Sequence, residues 1–182
     1  MEHLYYLVAQ LPAISVNDDS SQKLPLTVGY FKDLCSRFMS EKSAKLAENL
    51  TLEPPVEPVS TGSVFLDEWY EKERCLRLAL AQIRALKMKK DVKDLPSASD
   101  GESIQAARTA TGMDSPLAAE QYLNQYRLGI LDRIAPMDNF SADAVYSYGL
   151  KLMLAERMKK FNKDEGLASY HKIYDEILGE KK

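Results

Sequence analysis

Histidine and cysteine are nearly absent from this chain: His3, His171, Cys35 and Cys75 are the whole supply among 182 residues. Two histidines are too few for the usual histidine-based metal or triad arrangements, and neither lies beside a cysteine. The HExxH, CxxC and GxSxG patterns do not occur. The cysteines stand far apart, which excludes a disulfide scaffold and fits two reduced, packed thiols in a cytoplasmic protein. The eight glycines are scattered singly, so no glycine-rich loop can cradle a phosphate. No apolar run approaches the roughly 18 residues of a membrane span. The opening MEHLYYLVAQLPA has a short apolar centre with no basic residue before it, so no signal peptide is expected. A net charge of −3 argues against a dedicated nucleic-acid binder.

What is present is helix. The length allows a full hydrophobic core, and 45% apolar with 28% charged residues is ordinary for a globular chain. The organising stretch is Ser63–Lys90, 28 residues without glycine or proline, which as a helix would span about 42 Å. Asp67, Glu68, Glu71 and Glu73 crowd its front; Arg74, Arg77, Arg84, Lys87, Lys89 and Lys90 fill its back. That order complements the helix dipole, and Glu68–Lys72 and Glu73–Arg77 are favourable pairs four apart. Phe65, Trp69, Leu76, Leu80 and Ile83 form one apolar stripe. Leu78, Ala81, Ala85 and Met88 form a second, which predicts a back half sandwiched between layers.

Around this spine the chain divides by its breakers. Glu2–Leu11 is apolar on nearly all sides and predicts a buried helical turn or two, with a strand as the alternative; Pro12 closes it. Ile14–Pro25 reads as a loop. Thr27 caps a helix carrying Tyr30, Phe31, Leu34 and Phe38, and Ser40–Leu50 is weakly amphipathic. The proline-rich Thr51–Gly62 predicts an extended surface connector, and Asp91–Glu102 a second, mobile one. Ser103–Thr111 predicts a short helix. Ser115-Pro116 starts a longer one to about Ile134. Ser141 starts another to about Phe161, with apolar residues on several sides and so also central. A last amphipathic helix carries Leu167, Tyr170, Tyr174 and Ile177. The fold class is all-α, a single-domain bundle of about six to eight helices over 1–182. It subdivides into small helices in 1–50, the spine in 63–90 and closing helices in 103–180.

The spine's carboxylates alternate with cations as a solvated face would, so a catalytic carboxylate pair is not expected. The basic run from Arg74 to Lys93 sets seven cations against Asp91. It reads either as dipole complementation at a helix end or as a docking patch, formed by Arg74, Arg77, Arg84, Lys87, Lys89 and Lys90, for an acidic partner or anionic lipid headgroups. No aromatics interleave with it, against a nucleic-acid role. Among ten tyrosines, Tyr126, Tyr148, Tyr170 and Tyr174 fall on apolar stripes and are expected to bury their rings with the hydroxyls at the rim. Trp69 is expected to anchor the core.

Three segments carry a resemblance. LYYLVAQLP (Leu4–Pro12), WYEKERCLRLALAQIRALK (Trp69–Lys87) and the block Pro116–Leu178, with PLAAEQYLNQYRLGILDRI, FSADAVYSYGLKLMLAERMKKFN and YHKIYDEIL, resemble a small bacterial family typically encoded among the subunits of V-type (A/V-type) ATPases. That family is similar in turn to the V-type ATPase component known as d in eukaryotes, an all-helical funnel seated on the membrane rotor that receives the central shaft. The funnel is built from three similar helical units, and this chain is much shorter. The resemblance implies a reduced counterpart, cytoplasmic at the inner face of the membrane, partnered by V-type ATPase subunits of a proton or sodium motor. It implies no catalytic residue and no cofactor. A general helical adaptor or assembly factor is the alternative. An enzyme would need Glu68, Glu71 or Glu156 in a concave polar pocket.

Overall fold

The computed structural model describes residues 4–14, 24–90, 96, 98–160 and 163–179. These form eight helices and, among the described residues, no strand. They are α1 (Tyr5–Gln10), α2 (Val28–Phe38), α3 (Glu41–Glu48), α4 (Val64–Lys87), α5 (Gly101–Gly112), α6 (Pro116–Arg133), α7 (Ala142–Lys159) and α8 (Lys163–Leu178). Six begin on a side-chain cap. The oxygens of Thr27, Ser40, Ser63, Asp100, Ser115 and Ser141 each accept the backbone N–H three residues on, satisfying a donor that the first turn otherwise leaves open. The opening segment is helix rather than strand, although only Leu4 and Leu7 are buried there while Tyr5 and Tyr6 face out. Most of the two expected loops, 15–23 and 91–95 with 97, lies outside the described residues, as does His3.

The spine is 24 residues long, about 36 Å, and Lys89, at φ 54°, turns the chain out of it. Beyond it the chain returns along its side. Gln82 donates to the Pro96 carbonyl at 2.6 Å, and Lys72 reaches Asp100 at 3.2 Å. There α5 begins, running parallel to α4 until Lys87 donates to the carbonyl of Thr111. α6 runs back antiparallel, with Arg133 on Glu102 and Arg127 on Glu73. α7 then runs parallel to α4 again, Ser63 donating to Asp143 at 2.6 Å near the start of both. α2 and α3 pack on the other side of α7, which therefore touches α2, α3, α4 and α6 and is as central as the spine.

Two apolar cores are strung along α4. The larger gathers Trp69, Phe31, Leu66, Tyr146 and Leu150, all but inaccessible to solvent. The smaller packs Leu76, Ala79 and Leu80 against Ala106, Ala107 and Ala110 of α5 and Leu123 of α6. The expected sandwiching of the back half is not found. The buried part of the spine is Phe65–Leu80, Ile83 is half-buried, and Leu86 and Met88 are 61% and 60% exposed. The cause is length: α7 ends at about the level of Leu80, so no second layer reaches the spine's last turns. The tyrosines also divide. Tyr126 and Tyr148 place their hydroxyls on Ser103 and on the Pro12 carbonyl, at 3.3 and 2.9 Å. Tyr170 and Tyr174 instead lie exposed on α8, stacked on each other.

Gly149, in the middle of α7, marks the closest helix approach. A Cβ there would stand 2.6 Å from a Phe31 ring carbon and 2.9 Å from Leu50 Cδ1. Helix propensity alone would make Gly149→Ala stabilising by about 1 kcal/mol, but overpacking a well-filled core costs about 1–3 kcal/mol. The expected outcome is a lower midpoint in urea unfolding; a raised one would show that α2 can give way.

Asp100 joins α4 to α5, accepting from Ser103 of α5 at both the backbone and the hydroxyl while pairing with Lys72 of α4. Partial burial pushes its carboxyl up, but the hydrogen bonds from Ser103 and Lys72 outweigh this and hold it below the usual aspartate range. A carboxyl lowered in the folded state contributes stability above its unfolded value of about 3.9, and that contribution is lost as pH falls through the folded value. Asp100→Asn, which keeps the capping oxygen, should therefore weaken the fold at pH 7 and flatten the loss of stability below pH 4 (about the unfolded value) in acid titrations followed by circular dichroism.

Candidate functional site

The spine's carboxylates, similar in sequence, have different fates. Glu68 and Glu71 face solvent. Glu73 is completely buried, contrary to its expected place on a solvated face. It lies between the two cores, where α6 presents Arg127, itself 4% exposed. Arg127 donates Nε to Glu73 Oε2 at 2.9 Å and Nη2 to Oε1 at 3.0 Å, a two-pronged pair. Arg77, one turn on along α4, adds its Nε to Oε1 at 2.8 Å. The third Arg127 nitrogen reaches Asn124 Oδ1 at 3.4 Å, while the buried Nδ2 of Asn124 has no partner among the described residues. Taking these charges out of water costs several kcal/mol per ion, and only this density of charge-assisted bonds offsets it.

Above this cluster a cleft of about 480 Å³ opens between α4, α6 and the end of α7. Arg77, Leu80 and Arg84 form one wall; Glu120, Leu123 and Arg127 form the other. Met153, Glu156, Arg157 and Lys160 close it at the end of α7. It adjoins a second hollow of about 400 Å³, sharing Leu80, Arg84, Glu120 and Leu123 and continuing past Lys87 to Met113 and Pro116. Together they make one groove along the α4–α6 seam, apolar in its floor and basic at its rim. Arg157 is paired with Glu120. Arg84 and Lys160 have no partner among the described residues. Glu156 does line the cleft, as an enzyme reading asks, together with Glu53 and Glu120, which are paired with Arg77 and Arg157. Among the described residues no three His, Cys, Asp or Glu side chains gather as metal ligands would.

The six cations expected to dock a partner are not one patch. Arg74 is folded onto Glu71 and the Pro55 carbonyl. Arg77 is spent on Glu73 and the Leu52 carbonyl. These two clamp the proline-rich connector, mostly exposed as expected, to the spine, and neither is free. Arg84 and Lys87 line the groove, the latter holding Thr111. Lys89 and Lys90 stand exposed at the tip, with Leu86 on the side of α4 away from the groove. Lys93 and Asp91, at the end of the cluster, lie outside the described residues. Arg127 was missed because it comes from another helix, though a lone arginine between Leu123 and Leu128–Leu131 was a signal that something buried needed a cation.

Removing one partner of a buried pair leaves the other uncompensated, at about 3–5 kcal/mol. Arg127→Met should cost that much in urea unfolding, and Arg127→Met with Glu73→Leu markedly less than the single variant. Equal losses in both would show that the pair's packing, not its charge, matters.

Compared with known proteins, the chain matches no family model, no curated protein and no solved structure.

Proposed function

We propose that this chain is a non-catalytic accessory component of a bacterial V-type ATPase, a reduced counterpart of the funnel-like adaptor between central shaft and membrane rotor. The observation that carries the adaptor reading is the spine's tip. α4 runs on past the end of α7, and its last turn and the residues that follow it hold Leu86, Met88, Lys89 and Lys90 out in solvent. Exposed apolar side chains beside free cations are a docking surface for an acidic protein, with the charges steering the encounter and the apolar groups supplying contact. The segments Leu4–Pro12, Trp69–Lys87 and Pro116–Leu178 supply the motor, through their similarity to the ATPase-linked family. Stiffness supports the same reading: α4, α5, α6 and α7 are joined by the Lys72–Asp100, Arg127–Glu73 and Arg157–Glu120 pairs. Such cross-links suit a part that transmits force.

The test is co-purification of the tagged chain with the ATPase, in which recovery of ATPase subunits is expected. Lys89→Glu with Lys90→Glu should reduce that recovery at least tenfold at low salt while the unfolding midpoint stays put. A preparation free of every ATPase subunit would overturn the motor assignment, and capture of unrelated proteins through the same two lysines would favour a general adaptor.

A further inference from the structure

One unfilled space shares no residue with the spine's tip or the α4–α6 groove. It lies where α1 is tied to the start of α7. The Leu4 amide donates to the Phe140 carbonyl at 2.8 Å, and the Tyr148 hydroxyl donates to the Pro12 carbonyl at 2.9 Å. The Tyr5 ring, centred 4.3 Å from that of Phe140, backs the first tie. Beside these ties a cavity of about 360 Å³ remains, lined by Leu11–Ile14 and by Ala135 and Pro136 of the link between α6 and α7. The ties and the two prolines hold its walls in place, and Ala13, Ala135 and Ala144 are too small to fill it. Protein interiors otherwise pack as densely as organic crystals, so a pocket of this size has room for an occupant.

Its remaining wall is one face of α7. Ala144, Ser147, Tyr148 and Lys151 follow the spacing of a single helical face, and all four line the cavity. Ser147 stands out among them. It is 5% exposed, and its hydroxyl has no partner among the described residues, not even the carbonyl one turn back that helical serines often use. A buried hydroxyl left without a hydrogen bond is destabilising, and its helix face turns this one toward the open space. The charge on the same wall is already answered, because Lys151 reaches Asp132 at 2.6 Å. Asn139, which is exposed, adds a second neutral polar group.

Apolar walls, one inward hydroxyl and no free charge set the chemistry of what fits. We propose that this cavity binds a small neutral lipid-like molecule, an aliphatic alcohol or ketone of roughly a dozen non-hydrogen atoms, given that a cavity of about 150 Å³ takes a benzene. Its oxygen bonds to the Ser147 hydroxyl, and its hydrocarbon part lies against Val8, Leu11 and Ile14. A carboxylate of the same length is disfavoured, since burying an ion without a free counter-charge costs far more than burying a hydroxyl. The site goes beyond the motor assignment and does not depend on it.

Isothermal titration of the full chain with 1-octanol tests this. One site is expected, with a Kd of about 0.1 mM, ordinary for a ligand of this size. Octanoate, equally long but charged, should bind at least tenfold more weakly. Ser147→Ala should weaken octanol binding about fivefold, the worth of one neutral hydrogen bond, while the unfolding midpoint holds or rises. A hydroxyl that served only the fold would do the reverse, lowering the midpoint and leaving binding unchanged, and that result would overturn the proposal. Ala144→Leu, which puts a larger side chain into the space from the same helix face, should weaken binding at least tenfold. No binding at 2 mM octanol, about twenty times the expected Kd, would leave water as the partner of Ser147 and overturn the proposal. So would equal affinity for octanol and octanoate, or binding that survives Ala144→Leu and so lies elsewhere.

Discussion

One carboxylate holds the bundle in register. Glu73 accepts three guanidinium N–H bonds, two from α6 and one from its own helix, at a point where no water reaches it. A buried charge tolerates little displacement, because each bond that lengthens exposes a desolvation cost of several kcal/mol. Apolar packing alone would let α6 slide along α4 with small loss. The Glu73–Arg127 pair fixes which turn of one helix faces which turn of the other. The parallel course of α5 and α7 follows from that alignment, with Lys72–Asp100 and Arg157–Glu120 marking its two ends.

Unequal lengths then shape the surface. α4 has 24 residues and α7 has 18, and they start level at Ser63 and Asp143. The shorter helix covers the seam between α4 and α6 only to the level of Leu80. Beyond it the seam is a groove, because two cylinders in contact leave a trough that a third must fill. The same mismatch strips the cover from Leu86 and Met88. Groove and tip are therefore one consequence of a six-residue difference.

Local chemistry was readable from sequence. Thr27, Ser115 and Ser141 cap helices as their side chains and neighbours predict, and the apolar spacing of α6 and α7 points to residues that are in fact buried, such as Leu123, Ile130, Val145 and Leu152. What failed was non-local. Glu73 with Arg77 four residues on has the same pattern as an exposed surface pair, and only Arg127, 54 residues away, decides that it is buried. The second stripe, Leu78 to Met88, reads as a face with a layer on it. Whether a layer arrives depends on where α7 stops. Amphipathicity likewise identified α8 and its stripe, but a stripe states a need for cover and not its source.

The sorted charges of the spine thus serve different ends along one helix. Asp67 receives Ser60 and Thr61 and ties down the connector at the front. Arg74 and Arg77 clamp the same connector from further along, so the proline-rich segment is held at both ends although it has no regular structure of its own. Arg84 and Lys87 border the groove, and Lys89 and Lys90 are left at the tip. Dipole complementation accounts for why cations collect at this end, but it acts only within the last turn and cannot say which of them is used. Burial does: each cation is committed according to how far the neighbouring helices reach. The ones they fail to reach are those still able to meet another molecule.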